Sequence, residues 1–232
     1  MVLMWLGITL FVYVLAKKLY RQVPNILLSP VLICPIILIV ILQIFGASYE
    51  SYDSGGHFLS AMLQPATVAL AVPMYKHRKM IIKYLPEILL CVVGGALMAI
   101  VTSMGIAEAV GLPEAMVDSL ALRAITTPLA ISVSQILGGN PAMTAVFVVI
   151  TGLLGTIMTS VIQKCLNRKN SIATGMMFGI SAHGIGTSKA HEAGHLEGAI
   201  SSLAMIFMGI ITAFIAPGFI PLCHELLRKF VH

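Results

Sequence analysis

The sequence predicts an all-α polytopic membrane protein of about seven to eight transmembrane segments, some broken or re-entrant, arranged as inverted repeats. Three observations predict it. Of 232 residues, 58% are hydrophobic and 10% charged, with a mean hydropathy of +0.98, whereas a soluble domain carries roughly 25% charge. Apolar runs close to the ~20 residues that a bilayer crossing requires recur from end to end. Between them lie short segments rich in small residues and interrupted by proline or glycine, whose freed backbone groups must be shielded by protein or line a wet cavity.

The first run, 3–16, is followed by Lys17, Lys18 and Arg21 and lacks a basic leader and a small-residue cleavage site. It is therefore expected to be a retained span rather than a signal peptide. Runs 26–46, 85–105, 143–162 and 199–222 are the further full spans, with a shorter apolar piece at 60–75. No soluble domain fits between them, so 1–232 is expected to form one transmembrane domain, multi-pass in the inner or plasma membrane. Cys34, Cys91, Cys165 and Cys223 lie far apart within or beside apolar runs, a pattern of packing residues rather than of disulfides or metal ligands.

The net charge of +5 reads as an orientation signal, not as a nucleic-acid footprint, because the bases sit in short loops. They cluster at Lys17/Lys18/Arg21, Lys76/Arg78/Lys79/Lys83, Lys164/Arg168/Lys169 and Arg228/Lys229, while Glu50/Asp53 and Glu108/Glu114/Asp118 form acidic loops. With basic loops inside, the N-terminus is outside and the acidic loop after residue 105 is outside. Segment 119–139 must then begin and end on the outer face: either it is a re-entrant hairpin, or the charge-derived topology fails there. Arg228/Lys229 is expected opposite the second acidic loop.

"VVGGALMAIVTS" (92–103) aligns without gaps on "VITGLLGTIMTS" (149–160), matching Val92/Val149, Gly95/Gly152, Leu97/Leu154, Ile100/Ile157, Thr102/Thr159 and Ser103/Ser160. "LQPATVALAVP" (63–73), "RAITTPLAISV" (123–133) and "AHGIGTSKA" (182–190) are the interrupted segments. On this evidence the repeats are placed at 26–105 and 143–222, linked by 119–139. Paired interrupted segments of this kind mark a transporter's midplane binding site; small-residue packing between helices is the plainer reading.

Arg123 within an apolar segment marks a functional site, since burying its charge is costly, unless it snorkels outward past Asp118. An arginine, the hydroxyls of Thr126 and Thr127, and a helix N-terminus opened by Pro128 suit a small carboxylate. Gln64, Ser181, His183, Gly184, Gly186 and Thr187 complete the expected substrate site, with His183 able to titrate. Glu192, His195, Glu197 and Ser201 are expected at a cavity mouth or gate.

"HEAGH" (191–195) matches the zinc-protease signature His-Glu-x-x-His. Gly194 interrupts the helix that the motif needs, and no third ligand is in reach, so neither a metal nor another cofactor is expected and the protease reading is the remote one. No G-x-x-x-x-G-K-[ST] loop for ATP is present.

"LQPATVALAVPMY" (63–75), "TTPLAISVSQILGGNPAMTAVFVVITGLLG" (126–155), "SAHGIGTSKA" (181–190) and "EGAISSLAMIFMGIITAFIAP" (197–217) resemble the LrgB/CidB family of membrane proteins over essentially the whole chain. The resemblance implies one of two activities. Some members are described as antiholin-like or holin-like modulators of murein hydrolase export and cell lysis, others as carriers of small monocarboxylates such as pyruvate, or glycolate and glycerate in plastids. It implies a small LrgA/CidA-type membrane partner, a homo-oligomer, or both, besides lipid and a carboxylate substrate. Family blocks fall on Gln64 and Pro65, on Thr126, Thr127 and Pro128, on His183, Gly184, Gly186 and Thr187, and on Glu197, Gly198, Ser201 and Ser202. The family carries lysine where Arg123 stands, and lysine lacks the bidentate fork.

Overall fold

The computed structural model describes residues 2–23, 28–62, 65, 68–69, 71–166 and 170–231, and among these no strand occurs. The helices are α1 (Val2–Gln22), α2 (Pro30–Ile44), α3 (Tyr49–Ala61), α4 (Ala71–Lys76), α5 (Arg78–Lys83), α6 (Leu85–Ala109), α7 (Glu114–Ala121), α8 (Thr127–Leu137), α9 (Pro141–Leu166), α10 (Ser171–Ala193) and α11 (His195–Val231). Four stretches among them are long and apolar enough to cross a membrane: Val2–Gln22, Leu85–Ala109, Pro141–Cys165 and His195–Leu227.

Run 26–46, expected as a full span, contributes a helix of 15 residues, about 22 Å against ~30 Å of hydrocarbon. Its ends have local causes. Pro30 opens the helix, where its missing N–H costs nothing, and Gly46 at φ 60° lies just past its end.

The chain divides into two compact units, Met1–Ala71 and Val72–His232. In the first, Gly55 of α3 lets two backbones meet: a Cβ there would lie 2.7 Å from the Val2 carbonyl oxygen. Trp5 locks the crossing by donating from Nε1 to Ser51 Oγ at 3.2 Å, with Tyr52 edge-on to its ring.

The second unit holds the larger core. On α6, Ile88, Val92, Ala96, Ile100 and Met104 are buried at four-residue spacing, one stripe of a helix. Leu90, Met98, Val101 and Ile106 on its other faces are exposed, so the helix is apolar all round, as lipid contact requires. Gly175 and Gly179 of α10 sit against the α11 backbone, where a Cβ would lie 2.6 Å from the Glu197 carbonyl and 2.5 Å from that of Ser201. This is small-xxx-small packing, in which the close backbones supply the attraction that lipid denies to larger side chains.

One expectation is corrected. Segment 171–193 does not cross the unit but doubles back, so α11 starts beside the start of α10 and ends where α6 ends. His224 of α11 touches Glu108 and Asp118, and the helix continues past it to Val231. The C-terminal basic stretch therefore lies at the same end as the second acidic loop, not opposite it. A helix-length run of small residues carries no mark of a reversal, and charge counting alone assigned it a crossing.

Candidate functional site: two opposed helical hairpins

α10 breaks at His183, whose φ of 36° and ψ of −121° are non-helical. Such a conformation costs ~1–3 kcal/mol and persists only where its surroundings fix it. The chain folds back here: a Cβ on Gly186 would lie 2.5 Å from the Phe178 carbonyl oxygen, whereas eight residues of continuous helix would separate the two by ~12 Å. Glycine is required because the returning arm packs backbone to backbone on the first.

α7, the turn 122–126 and α8 form the other hairpin. Its two ends meet, since Ser119 Oγ accepts the Asn140 N–H at 2.8 Å, and Gly138 at φ 85° ends α8 in the left-handed conformation that glycine tolerates. The hairpin enters from the Glu108 end of α6; the α10 hairpin enters from the end where α6 begins.

The two breaks lie at one depth. Thr144 of α9 donates to Ser134 of α8 at 2.8 Å; seven residues back along α8 and seven forward along the antiparallel α9, Thr127 comes level with about residue 151. His183 abuts the neighbouring position, with its Cε1 2.7 Å from where a Cβ on Gly152 would be. α11 gives the same answer, since Leu129 reaches Gly209 and Gly179 reaches Ala204.

At the first tip, half-buried Arg123 donates from Nε to Ser103 Oγ of α6 at 2.7 Å. Thr126 is the N-cap of α8 but makes no side-chain capping bond; Thr127 is half-buried, and Pro128 is exposed in the first turn. The first-turn N–H groups and the positive end of α8 favour an anion, and so does the charge of Arg123 on the same hairpin. At the second tip, His183 is 4% exposed, and its buried Nε2 has no hydrogen-bond partner. A buried polar atom without a partner is costly, and a ligand atom would relieve it.

The remaining expected residues divide. Ser181 bonds Thr159 of α9 at 2.8 Å and lines a cavity of about 610 Å³ with Tyr84, Glu87, Cys91, Thr159 and Ile180, reaching toward the second tip. Gly184 is open, with nothing near its missing Cβ. Gly186 faces its own hairpin, as above, and serves packing within α10, whereas Thr187 is buried and bonded to Ser201 Oγ at 2.9 Å, which serves packing between α10 and α11. Ser201, expected at a mouth, is fully buried because it lies in that seam. Glu192 is exposed and paired with Lys189 at 2.7 Å; His195 is exposed, and the half-buried Glu197 lays its carboxylate against Gly194. Gln64 falls outside the described residues.

Gly194, extended at φ 173° and ψ 161°, ends α10, so His191 and His195 do not share a helix. His191 instead meets Ser202 Oγ at 3.3 Å. Among the described residues no three His, Cys, Asp or Glu are grouped to hold a metal ion.

One cluster escaped the sequence reading. His224 is held between Glu108 Oε1 at 3.1 Å and Asp118 Oδ1 at 2.8 Å. Separations of 116 and 106 residues leave no local pattern; the one available signal is a histidine ending an apolar helix.

The LrgB-like family matches residues 9–222. A Bacillus subtilis protein, YwbG, described as uncharacterized, is 45% identical over 91% of this chain and 94% of its own length. Holin-like protein CidB of Staphylococcus epidermidis is 36% identical over 90% of this chain and 92% of its own, and that of Staphylococcus aureus 34% identical over 93% and 94%. No solved structure matches. With its apolar helices, its paired hairpins and this whole-length similarity, the chain belongs to the LrgB-like family of holin-like membrane proteins.

Proposed function

We propose that the protein is a secondary carrier of small monocarboxylates, of the pyruvate, glycolate or lactate class, in the inner or plasma membrane. The observation that carries this reading is the pair of hairpins entering from opposite ends with their breaks at one depth. Arg123, Thr126 and Thr127 on one tip and His183 on the other bracket a site with one positive charge and several donors. That combination binds one carboxylate and leaves a second negative charge uncompensated.

The same geometry favours inverted repeats with shifted boundaries. The offset that aligns Val92 with Val149 also aligns Thr126 with His183, the two tip residues. The repeat is then one long helix plus one hairpin, 85–137 and 142–194, rather than 26–105 and 143–222. One matched pair also shares a neighbour: Gly95 and Gly152 each admit α10. Opposed halves around a fixed midplane site are the architecture of alternating access. On this reading the four long helices, the two hairpins and α2 make seven segments among the described residues.

The relatives' name, holin-like protein, favours a second reading, in which the protein assembles with a small LrgA-type partner and modulates hydrolase export and lysis without carrying solute. Uptake of labelled pyruvate, glycolate and lactate into proteoliposomes, with and without the partner, separates the two. The carrier reading expects saturable uptake that Arg123→Ala strongly reduces. Absence of uptake, or equal uptake by both proteins, overturns it.

A further inference from the structure

Glu108 on α6, Asp118 on α7 and His224 on α11 join three elements at one end of the second unit. His224 places Nδ1 3.1 Å from Glu108 and Nε2 2.8 Å from Asp118, and both His224 and Asp118 are buried. A neutral imidazole has one N–H and one lone pair, and an ionised carboxylate only accepts. Both contacts are hydrogen bonds only when the three groups together hold two protons, either as imidazolium between two carboxylates or as imidazole with one carboxylic acid. With one proton fewer, a nitrogen lone pair faces a carboxylate oxygen and that contact becomes repulsive. Such protons belong to the cluster, not to one residue.

The cluster has an exit and a lever. A pocket of about 450 Å³ beside it is lined by Glu114, Asp118, Leu137, His224 and Glu225. Its titratable neighbours are thus Glu114 of α7 and Glu225 of α11, while α8 contributes the uncharged Leu137. Asp118 precedes Arg123 by five residues on the same hairpin.

We propose that Glu108, Asp118 and His224 form a proton-binding site whose second proton pins the α7–α8 hairpin to α6 and α11. Loss of that proton from a ring N–H or carboxylic O–H into the pocket breaks one bond and frees the hairpin. Where the carrier reading holds, on which this last step rests, the proton is its coupling ion.

Hydrogen–deuterium exchange of the purified full-length protein, corrected for intrinsic rates, tests the pinning. Native peptides covering 114–137 are expected to lose about tenfold in protection when the pH is raised far enough to remove the second proton. His224→Gln, which hydrogen-bonds without titrating, is expected to show no such change; equal pH responses in the two proteins overturn the proposal. Should that variant not fold, Asp118→Asn serves with the same expectation. In proteoliposomes, an inward proton gradient is expected to stimulate carboxylate uptake by native protein but not by His224→Gln. Native uptake insensitive to the gradient overturns the coupling. If no carboxylate enters, the carrier reading falls and the exchange data alone decide the pinning.

Discussion

The α7–α8 hairpin turns over five residues, 122–126, and carries the guanidinium; the α10 hairpin turns on a single residue, His183, and carries an imidazole. Their surroundings differ as much as their turns. The first is held near its tip by one bond, Arg123 to Ser103, and at its base by Ser119 and Asp118. The second is wedged by glycines of its neighbours, Gly95 on α6 and Gly152 and Gly155 on α9. Polar bonds break and reform more readily than a close-packed seam deforms. On the carrier reading, the first hairpin has the charge and the movement, and the second is the fixed wall.

If that division is right, removing the charge has the largest effect. Arg123→Ala is expected to lower carboxylate uptake about 100-fold and His183→Ala no more than about tenfold, the ratio of a charge-assisted to a neutral hydrogen bond. Arg123→Lys is expected to keep more than Arg123→Ala, because the positive charge survives while the fork is lost. Concentration dependence of initial rates in proteoliposomes reads these differences. Equal losses at the two tips would erase the distinction between them.

Much of this was legible before the fold was seen, for physical reasons. Four long helices follow from apolar length alone, and Arg123 and His183 stand out because a charge and an imidazole in such company have few structural uses. The ungapped match of Gly95 to Gly152 and Ser103 to Ser160 pointed to α6 and α9, and hydropathy alone set the bounds 26–105 and 143–222, whereas the proposed repeat takes its bounds from the tips. The reversal at His183 was hidden, since Ala182, Gly184 and Gly186 read equally well as a broken crossing or as a hairpin. The Glu108–His224–Asp118 cluster was invisible, as only tertiary structure brings α6, α7 and α11 together.

The wall can be tested where it is tightest. A Cβ on Gly155 would collide with the backbone carbonyl of Ser181, which cannot yield without moving the hairpin, whereas on Gly95 it would meet only the Ile180 Cγ2 at 2.8 Å. Gly155→Ala is therefore expected to destabilise by about 1–3 kcal/mol, the cost of overpacking a filled seam. Gly95→Ala is expected to cost less, because a side chain can rotate aside. Thermal unfolding of the two variants in detergent reads the order. A reversed order would mean that α6, not α9, holds the second hairpin.

The smallest effect concerns how that hairpin is closed against α11. Thr187 and Ser201 bond each other at 2.9 Å in a fully buried seam, with the Met205 sulfur 3.7 Å from the threonine hydroxyl. A double-mutant cycle with Thr187→Val and Ser201→Ala is expected to give a coupling of about 0.6 kcal/mol, the usual size for such bonds between membrane helices. Uptake in both single variants should stay close to native if the pair only closes the seam. A coupling near zero together with a large loss of uptake would instead put the Thr187 hydroxyl on the substrate, and the second hairpin would then be part of the moving site rather than its wall.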